Sequence, residues 1–170
     1  MEYRENAALT HLDAEGQTRM VDVGQKPVMS RVAVAEAMVE LSPRTLSLLR
    51  EKALPKGDAL ACAKIAAILA AKSTASLIPL CHSLPLSSVD ARFELCDTPP
   101  GVRIETEARC TGRTGVEMDA IVAAQTAAAV IYDMCKAVQR DIVISRVRLL
   151  YKNGGRSGEF RAAGFERDVV

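Results

Sequence analysis

The stretch from Gly115 to Arg140, G-V-E-M-D-A-I-V-A-A-Q-T-A-A-A-V-I-Y-D-M-C-K-A-V-Q-R, constrains the fold of this chain more than any other. It holds no proline and no glycine after its first residue, and it is dominated by alanine, the strongest helix former. Val116 to Gln139 predicts one helix of about 36 Å. Apolar residues surround most of it, which marks a helix buried in a core rather than lying on a surface. Its few polar side chains are therefore conspicuous. Asp119, Thr126, Asp133 and Arg140 recur every seven residues. A step of seven falls about 20° short of two turns, so the four share one stripe. Lys136 follows Asp133 closely enough to pair with it. A carboxylate and an ammonium buried there cost on the order of several kcal/mol each unless paired. The pair is either a structural ion pair or an acid/base pair tuned by burial and mutual charge. Asp119 and Asp133 stand about 21 Å apart along the helix and cannot act on one small reacting centre. If both ends are functional, either the ligand is long or each end serves a different site, an arrangement that sites built between subunits would produce.

The rest of the chain predicts a small sheet. Residues 1–16 are polar and read as a loose arm, and Gln17 to Val23 as a short strand. Pro27 to Leu41 alternates in part and predicts a strand. Ser42-Pro43 is a helix start, with a helix to about Lys52, and Asp58 caps a second, Ala59 to Lys72. Ser73 to Pro85 has two prolines and reads as a loop. Leu86–Leu95 and Val102–Cys110 alternate cleanly around Asp97-Thr98-Pro99-Pro100-Gly101, so they predict a hairpin with one apolar face, covered on one side only. Ile142 to Tyr151 is the last strand, ahead of a polar, glycine-containing tail. The order β-α-β-β-α-β predicts an α+β, ferredoxin-like antiparallel sheet with helices packed on one face. One domain over 17–160 fits a chain of 170 residues, with 161–170 as a C-terminal tail.

Charge is balanced, 22 basic against 21 acidic residues, so any basic site is a local cluster and nonspecific nucleic-acid binding is disfavoured. Five cysteines without C-x-x-C spacing argue against a disulfide framework and a structural zinc site. No apolar run reaches the ~18 residues of a membrane span, and no secretory signal opens the chain. A reducing cytoplasm is the expected location.

Several cations stand where an anion would be held. Lys56 precedes the Asp58 cap, where free N–H groups and the helix dipole favour negative charge. Lys152-Asn153-Gly154-Gly155-Arg156-Ser157-Gly158 sets two cations among glycines that admit close backbone approach. Arg31 lies in a strand otherwise poor in charge. Taken singly, each also fits a solvated surface cation. Neither a Walker A pattern nor G-x-G-x-x-G occurs. His82 sits beside Cys81 in the proline-bounded loop, as a proton carrier, a phosphate donor or a hydrogen-bonded structural histidine. A Cys81–His82 nucleophile pair is disfavoured, because adjacent residues rarely aim at each other. No spacing suggests metal ligands.

Longer segments carry a resemblance. L-I-P-L-C-H (Leu77 to His82), T-G-V-E-M-D-A (Thr114 to Ala120) and I-Y-D-M-C-K-A-V (Ile131 to Val138) resemble signature segments of the cyclic pyranopterin monophosphate synthase family, the molybdenum cofactor biosynthesis protein C family. M-V-D-V (Met20 to Val23), K-G-D-A (Lys56 to Ala59), V-R-I-E-T (Val102 to Thr106) and G-G-R-S-G (Gly154 to Gly158) extend it from about His11 to Phe160, in the family's order. The resemblance implies conversion of (8S)-3',8-cyclo-7,8-dihydroguanosine 5'-triphosphate to cyclic pyranopterin monophosphate and diphosphate, without a cofactor. It implies Asp133, Lys136 and Lys56 as catalytic residues. It implies Leu80, Cys81, His82, Met118, Asp119, Arg31, Lys152 and Arg156 as substrate-binding. It further implies a homohexamer, a trimer of dimers, with sites near the dimer interface. Asp119 stands where glutamate is commoner in the family, and Ser83 replaces a usual proline.

Overall fold

The computed structural model describes residues 11–13 and 15–169. The elements, in chain order, are β1 (Met29–Glu40), α1 (Pro43–Arg50), α2 (Ala59–Lys72), α3 (Thr74–Leu77), β2 (Leu86–Asp97), β3 (Pro100–Gly112), α4 (Glu117–Cys135), β4 (Val143–Asn153) and β5 (Phe160–Arg161). Most of the arm expected at 1–16 lies outside the described residues.

The five strands form one antiparallel sheet in the order β2-β3-β1-β4-β5. The first four follow the ferredoxin-like order, with α2 and α4 packed side by side on one face. Alternation in β1 sends Ala33, Ala35, Ala37 and Val39 to that face, where they meet Ala91, Val102, Ile104 and Ala108. Ala63 and Ala67 of α2 and Ala120, Ala123 and Ala127 of α4 are fully buried in the same core. Alanine on every layer lets helices and sheet approach closely. By length and composition alone α4 would pass for a membrane span, but much of it is spent on this core.

Local signals explain the helix starts. The Ser42 hydroxyl accepts from the Thr45 N–H at 3.2 Å and Pro43 opens α1; the Asp58 carboxylate accepts from the Ala61 N–H at 3.0 Å and opens α2. α4 has no side-chain cap, and Glu117 and Asp119 in its first turn complement the dipole.

Four expectations are corrected. Gln17–Val23 is not a strand: the segment makes one bridge, Leu12 to Thr18, and then an Asx turn in which Asp22 accepts from the Gly24 N–H at 2.7 Å. The Ser73–Pro85 loop contains α3, because the Thr74 hydroxyl donates back to the Ala70 carbonyl at 3.3 Å and the chain turns once more before Pro79. α4 stops at Cys135, not Gln139, since the Val138 and Gln139 N–H groups both bond the Cys135 carbonyl and the Gln139 side chain accepts from the Ser42 N–H at 2.8 Å. The sheet is not covered on one side only. Phe165, from the stretch read as a polar tail, packs on Tyr151, Val34 and Leu150 on the outer face. Arg167 reaches Glu107 at 2.7 Å on the same face, and Arg103 and Arg148 pair there with the buried Glu36.

Candidate active site

A cleft opens at the N-terminal end of α4, in two adjoining lobes of about 450 and 400 Å3. Lys26, Thr114, Gly115 and Glu117 line both lobes. The first lobe adds Arg31, Arg113 and Arg156 over Gly154 and Gly155; the second adds Leu80, Cys81, His82, Met118 and Asp119. Lys152 adjoins through its ammonium, which donates to the Ser157 hydroxyl at the rim. The β1 start, the β3–α4 turn, the loop before β2 and the β4–β5 turn thus converge on one opening.

Arg31 is the floor of the first lobe. It is 8% exposed, and its guanidinium donates to the Gly112 carbonyl and the Arg113 carbonyl, both at 3.0 Å. Gly154 and Gly155 lie directly over it with φ of +101° and +87°. A Cβ at Gly155 would stand 2.5 Å from an Arg31 nitrogen, so backbone alone fits there.

The second lobe is drier. Asp119 is 6% exposed, and burial pushes its carboxyl from the usual 3.8 up to about 6; its own N–H and the Thr74 hydroxyl oppose the rise, while the Glu117 charge adds to it. This carboxyl changes charge near neutral pH. Burial, with the Asp119 charge, also raises the Cys81 thiol, which excludes a reactive thiolate. His82 Nε2 lies 2.8 Å from the Val21 carbonyl, so this nitrogen carries the proton.

Lys56, Asp133 and Lys136 meet at the other end of α4. Lys56 Nζ donates to Asp133 Oδ2 at 2.7 Å and to the Asp133 carbonyl at 2.8 Å, and Lys136 Nζ lies 2.6 Å from Asp133 Oδ1. The expectation of burial fails within one protomer: the Asp133 side chain is 52% exposed. The last turn of α4 points Met134 and Cys135 at the core and leaves Asp133 and Lys136 facing outward. Hydrogen bonds from Lys136 and then Lys56 hold the Asp133 carboxyl down at about 2. The same contact raises Lys136, so its ammonium keeps its proton at neutral pH. In this setting Lys136 is a cation and proton donor, not a base.

The family model for the MoaC family matches residues 20–155. The chain is 64% identical over 161 residues to the cyclic pyranopterin monophosphate synthase of Desulfovibrio desulfuricans, an alignment covering 95% of this chain and 99% of the relative. It is 59% identical over 159 residues to the protein of that name from Nitratidesulfovibrio vulgaris, covering 94% and 99%. Against that of Chloroflexus aurantiacus it is 52% identical over 153 residues, covering 90% and 94%. The chain belongs to the MoaC family.

In this MoaC-family chain the residues marked by sequence divide between the two ends of α4. Arg31, Leu80, Cys81, His82, Met118, Asp119 and Arg156 line the cleft, with Lys152 at its rim; Lys56, Asp133 and Lys136 form the other cluster. The cleft also uses Lys26 and Arg113, which sequence reasoning passed over, and Thr114 and Glu117, which lay in a signature segment without a role assigned to them. The signal of the first two was faint: Lys26 before a proline, and Arg113 beside the Thr114-Gly115 turn. Among the described residues, no three His, Cys, Asp or Glu side chains gather as metal ligands would. Chemically, the cleft offers guanidinium groups and an ammonium for an anion beside one carboxyl that titrates near neutrality. The far cluster offers two ammonium groups around a carboxylate.

Proposed function

We propose that this chain is a cyclic pyranopterin monophosphate synthase, a phosphorus–oxygen lyase of molybdenum cofactor biosynthesis. Its substrate is (8S)-3',8-cyclo-7,8-dihydroguanosine 5'-triphosphate and its products are cyclic pyranopterin monophosphate and diphosphate. The observation that carries this reading is the cleft itself, in which arginines and Lys26 stand within one opening with Asp119, whose carboxyl titrates at about 6. A triphosphate matches the cations, and a pterin ring being rebuilt matches the dry lobe.

The reaction needs two kinds of help. Opening the imidazole ring and closing the pyrazine ring requires proton transfers. A sugar hydroxyl then attacks the α-phosphate: one P–O bond forms, the bond to the β-phosphate oxygen breaks, and diphosphate leaves. Cations stabilise the charge that develops on those oxygens. Arg31 acts mainly by shaping the lobe, because its guanidinium already serves two carbonyls. Arg156 and Lys152 hold phosphate oxygens. Lys56 and Lys136 exchange protons, with Asp133 orienting both ammonium groups.

The two ends of α4 join in this reading through a second copy. Its cleft faces the Lys56–Asp133–Lys136 cluster of the first, in a dimer that builds a homohexamer. The length of α4, about 28 Å for the 19 residues Glu117–Cys135, supports this, since it separates the clusters within one protomer. The second copy would remove water from the exposed cluster and strengthen the charge contacts within it. A cytoplasmic location accompanies this reading, consistent with five free cysteines.

Incubation of the purified protein with the cyclised dihydro-GTP tests the reaction. Diphosphate and cyclic pterin are expected in equal amounts; substrate that binds and survives overturns it. Mixing Lys136→Ala and Asp119→Ala proteins, each inactive, tests the shared site. Activity returns if one mixed interface holds both intact halves, and stays absent if each protomer works alone.

A further inference from the structure

We propose that Arg113 is a positioning residue: its guanidinium holds the segment Val21–Lys26 across the cleft and thereby places the Lys26 ammonium over the bound anion. The inference rests on the reading of the cleft as a triphosphate site and adds to it a residue, a strap and a cation.

The segment has a shape of its own but few outside ties. Asp22 accepts from the Gly24 N–H at 2.7 Å and the Lys26 N–H donates to the Val23 carbonyl at 3.0 Å, which closes a tight turn ahead of Pro27. Among the described residues, two side chains from elsewhere in the chain bond this turn. His82 meets the Val21 carbonyl at one end. Arg113 Nη1 donates to the Gly24 carbonyl at 2.7 Å and to the Lys26 carbonyl at the other. Arg113 is held in turn, because its own carbonyl and that of Gly112 accept from the buried Arg31. A relay of two guanidinium groups therefore runs from the sheet, through the β3–α4 turn, to the strap. Both bonds leave one nitrogen, Nη1, so the bridge depends on the arginine's reach, which sets that atom between the two carbonyls. Lys26, which the strap carries, lines both lobes of the cleft. Its backbone is fixed at the carbonyl by Arg113 and at the next residue by proline, so its side chain starts from a defined point. An ammonium prepositioned in this way loses less freedom when it meets a phosphate.

The test compares Arg113→Ala, Arg113→Lys, Lys26→Ala and the double variant Arg113→Ala/Lys26→Ala. Three quantities are read: KM and kcat with the cyclised dihydro-GTP, amide hydrogen exchange over residues 20–26, and Tm. Arg113→Ala is expected to raise KM about tenfold, the size of one lost charge-assisted hydrogen bond, with a much smaller change in kcat. Its strap amides exchange faster. Lys26→Ala raises KM similarly without changing that exchange. The double variant is no worse than Lys26→Ala, because Arg113 acts through Lys26. Arg113→Lys keeps the charge, but its shorter stem ends short of the Nη1 position, and it restores little. KM losses that multiply in the double variant overturn the proposal, since Arg113 would then touch the anion itself. Unchanged exchange in Arg113→Ala, or full rescue by lysine, overturns it as well. Should the alanine variant not fold, Arg113→Lys carries the same comparison. If the wild type makes no product, the functional reading fails, while the exchange data still decide whether Arg113 holds the strap.

Discussion

Asp119 and Asp133 are the same residue on the same helix, two heptads apart, and their carboxyls are pushed in opposite directions. Asp119 is packed between α3, the turn before α4 and the cleft floor, and loss of water raises it to about 6. Asp133 stands in solvent between two ammonium groups, which lower it to about 2. A sequence stripe at seven-residue spacing therefore says which residues share a helix side and nothing of their surroundings. The helix is longer than its cover: its first turn is roofed by α3 and the loop to Cys81, while its last turn runs past both.

The largest effect is expected at the exposed end. Lys136→Ala removes a group proposed to move a proton, and kcat should fall by about 100- to 10,000-fold, the range for general acid–base groups. Tm should hardly move, because the lost pair is solvated in the protomer. Comparing single-turnover rate with thermal melting separates these outcomes. A large loss of Tm alongside activity would make the cluster a structural clasp and erase the contrast between the ends.

The buried end should respond in the opposite sense. The folded chain keeps a proton on Asp119 between pH 3.8 and about 6 that the unfolded chain has released. The stability this confers is full below 3.8, declines as pH rises to about 6, and is absent above. Asp119→Asn removes the penalty of burying the charge. Tm at pH 7.5 should therefore rise, on the order of 2 kcal/mol in stability, with no gain at pH 4. Turnover should drop by at least about tenfold, and the limb of the kcat profile near pH 6 should vanish. A variant that is less stable at both pH values would show that the carboxylate is held by hydrogen bonds its burial conceals.

A smaller change at the same end probes shape without charge. Gly155→Ala places a Cβ against the Arg31 guanidinium from a backbone at φ +87°. It should cost about 1–3 kcal/mol as backbone strain and raise KM by displacing Arg31 and the loop above it. Calorimetry and steady-state kinetics check both. The Asp133 cluster should keep its titration, since the two ends share no contact.

The fold was legible where its signals were local. The β2–β3 hairpin, the Ser42 and Asp58 caps and the alanine core of α2 and α4 follow from alternation, capping residues and helix propensity within a few residues of one another. The features that escaped depend on distant partners. Phe165 covers Tyr151 only because β4 turns back through β5. Arg113 reaches Gly24 and Lys26 across 89 and 87 residues of chain. The exposure of Asp133 depends on which side of the last turn the rest of the fold covers: Ile131, Met134 and Cys135 face the core and Asp133 faces away from it. Asp119 and Asp133 were legibly at opposite ends of the helix, but Lys56, Arg31, His82 and Lys152, which lie outside it, came with no indication of which end each would join. Lys26 and Arg113 lay in segments whose own pattern was turn-like, and Glu117 lay in the predicted helix with nothing to mark it as facing a cleft.

The smallest expected effect bears most directly on assembly. In a lone protomer the Asp133 carboxylate meets salt freely, so raising ionic strength from about 0.01 to 1 M, which shortens the screening length about tenfold, should lift its pKa from about 2 toward the usual 3.8. A shift on the order of half a pH unit is expected, read from the carboxyl carbon resonance during acid titration. In the proposed dimer a second copy roofs the cluster, ions no longer reach it, and the same salt series should leave the resonance where it was. Carrying out the titration at low and high protein concentration turns this into a measurement of the roof. Salt sensitivity that disappears as the protein associates places the cluster in a shared interface. Sensitivity that persists in the associated protein leaves it in solvent, and the two ends of α4 would then belong to separate sites.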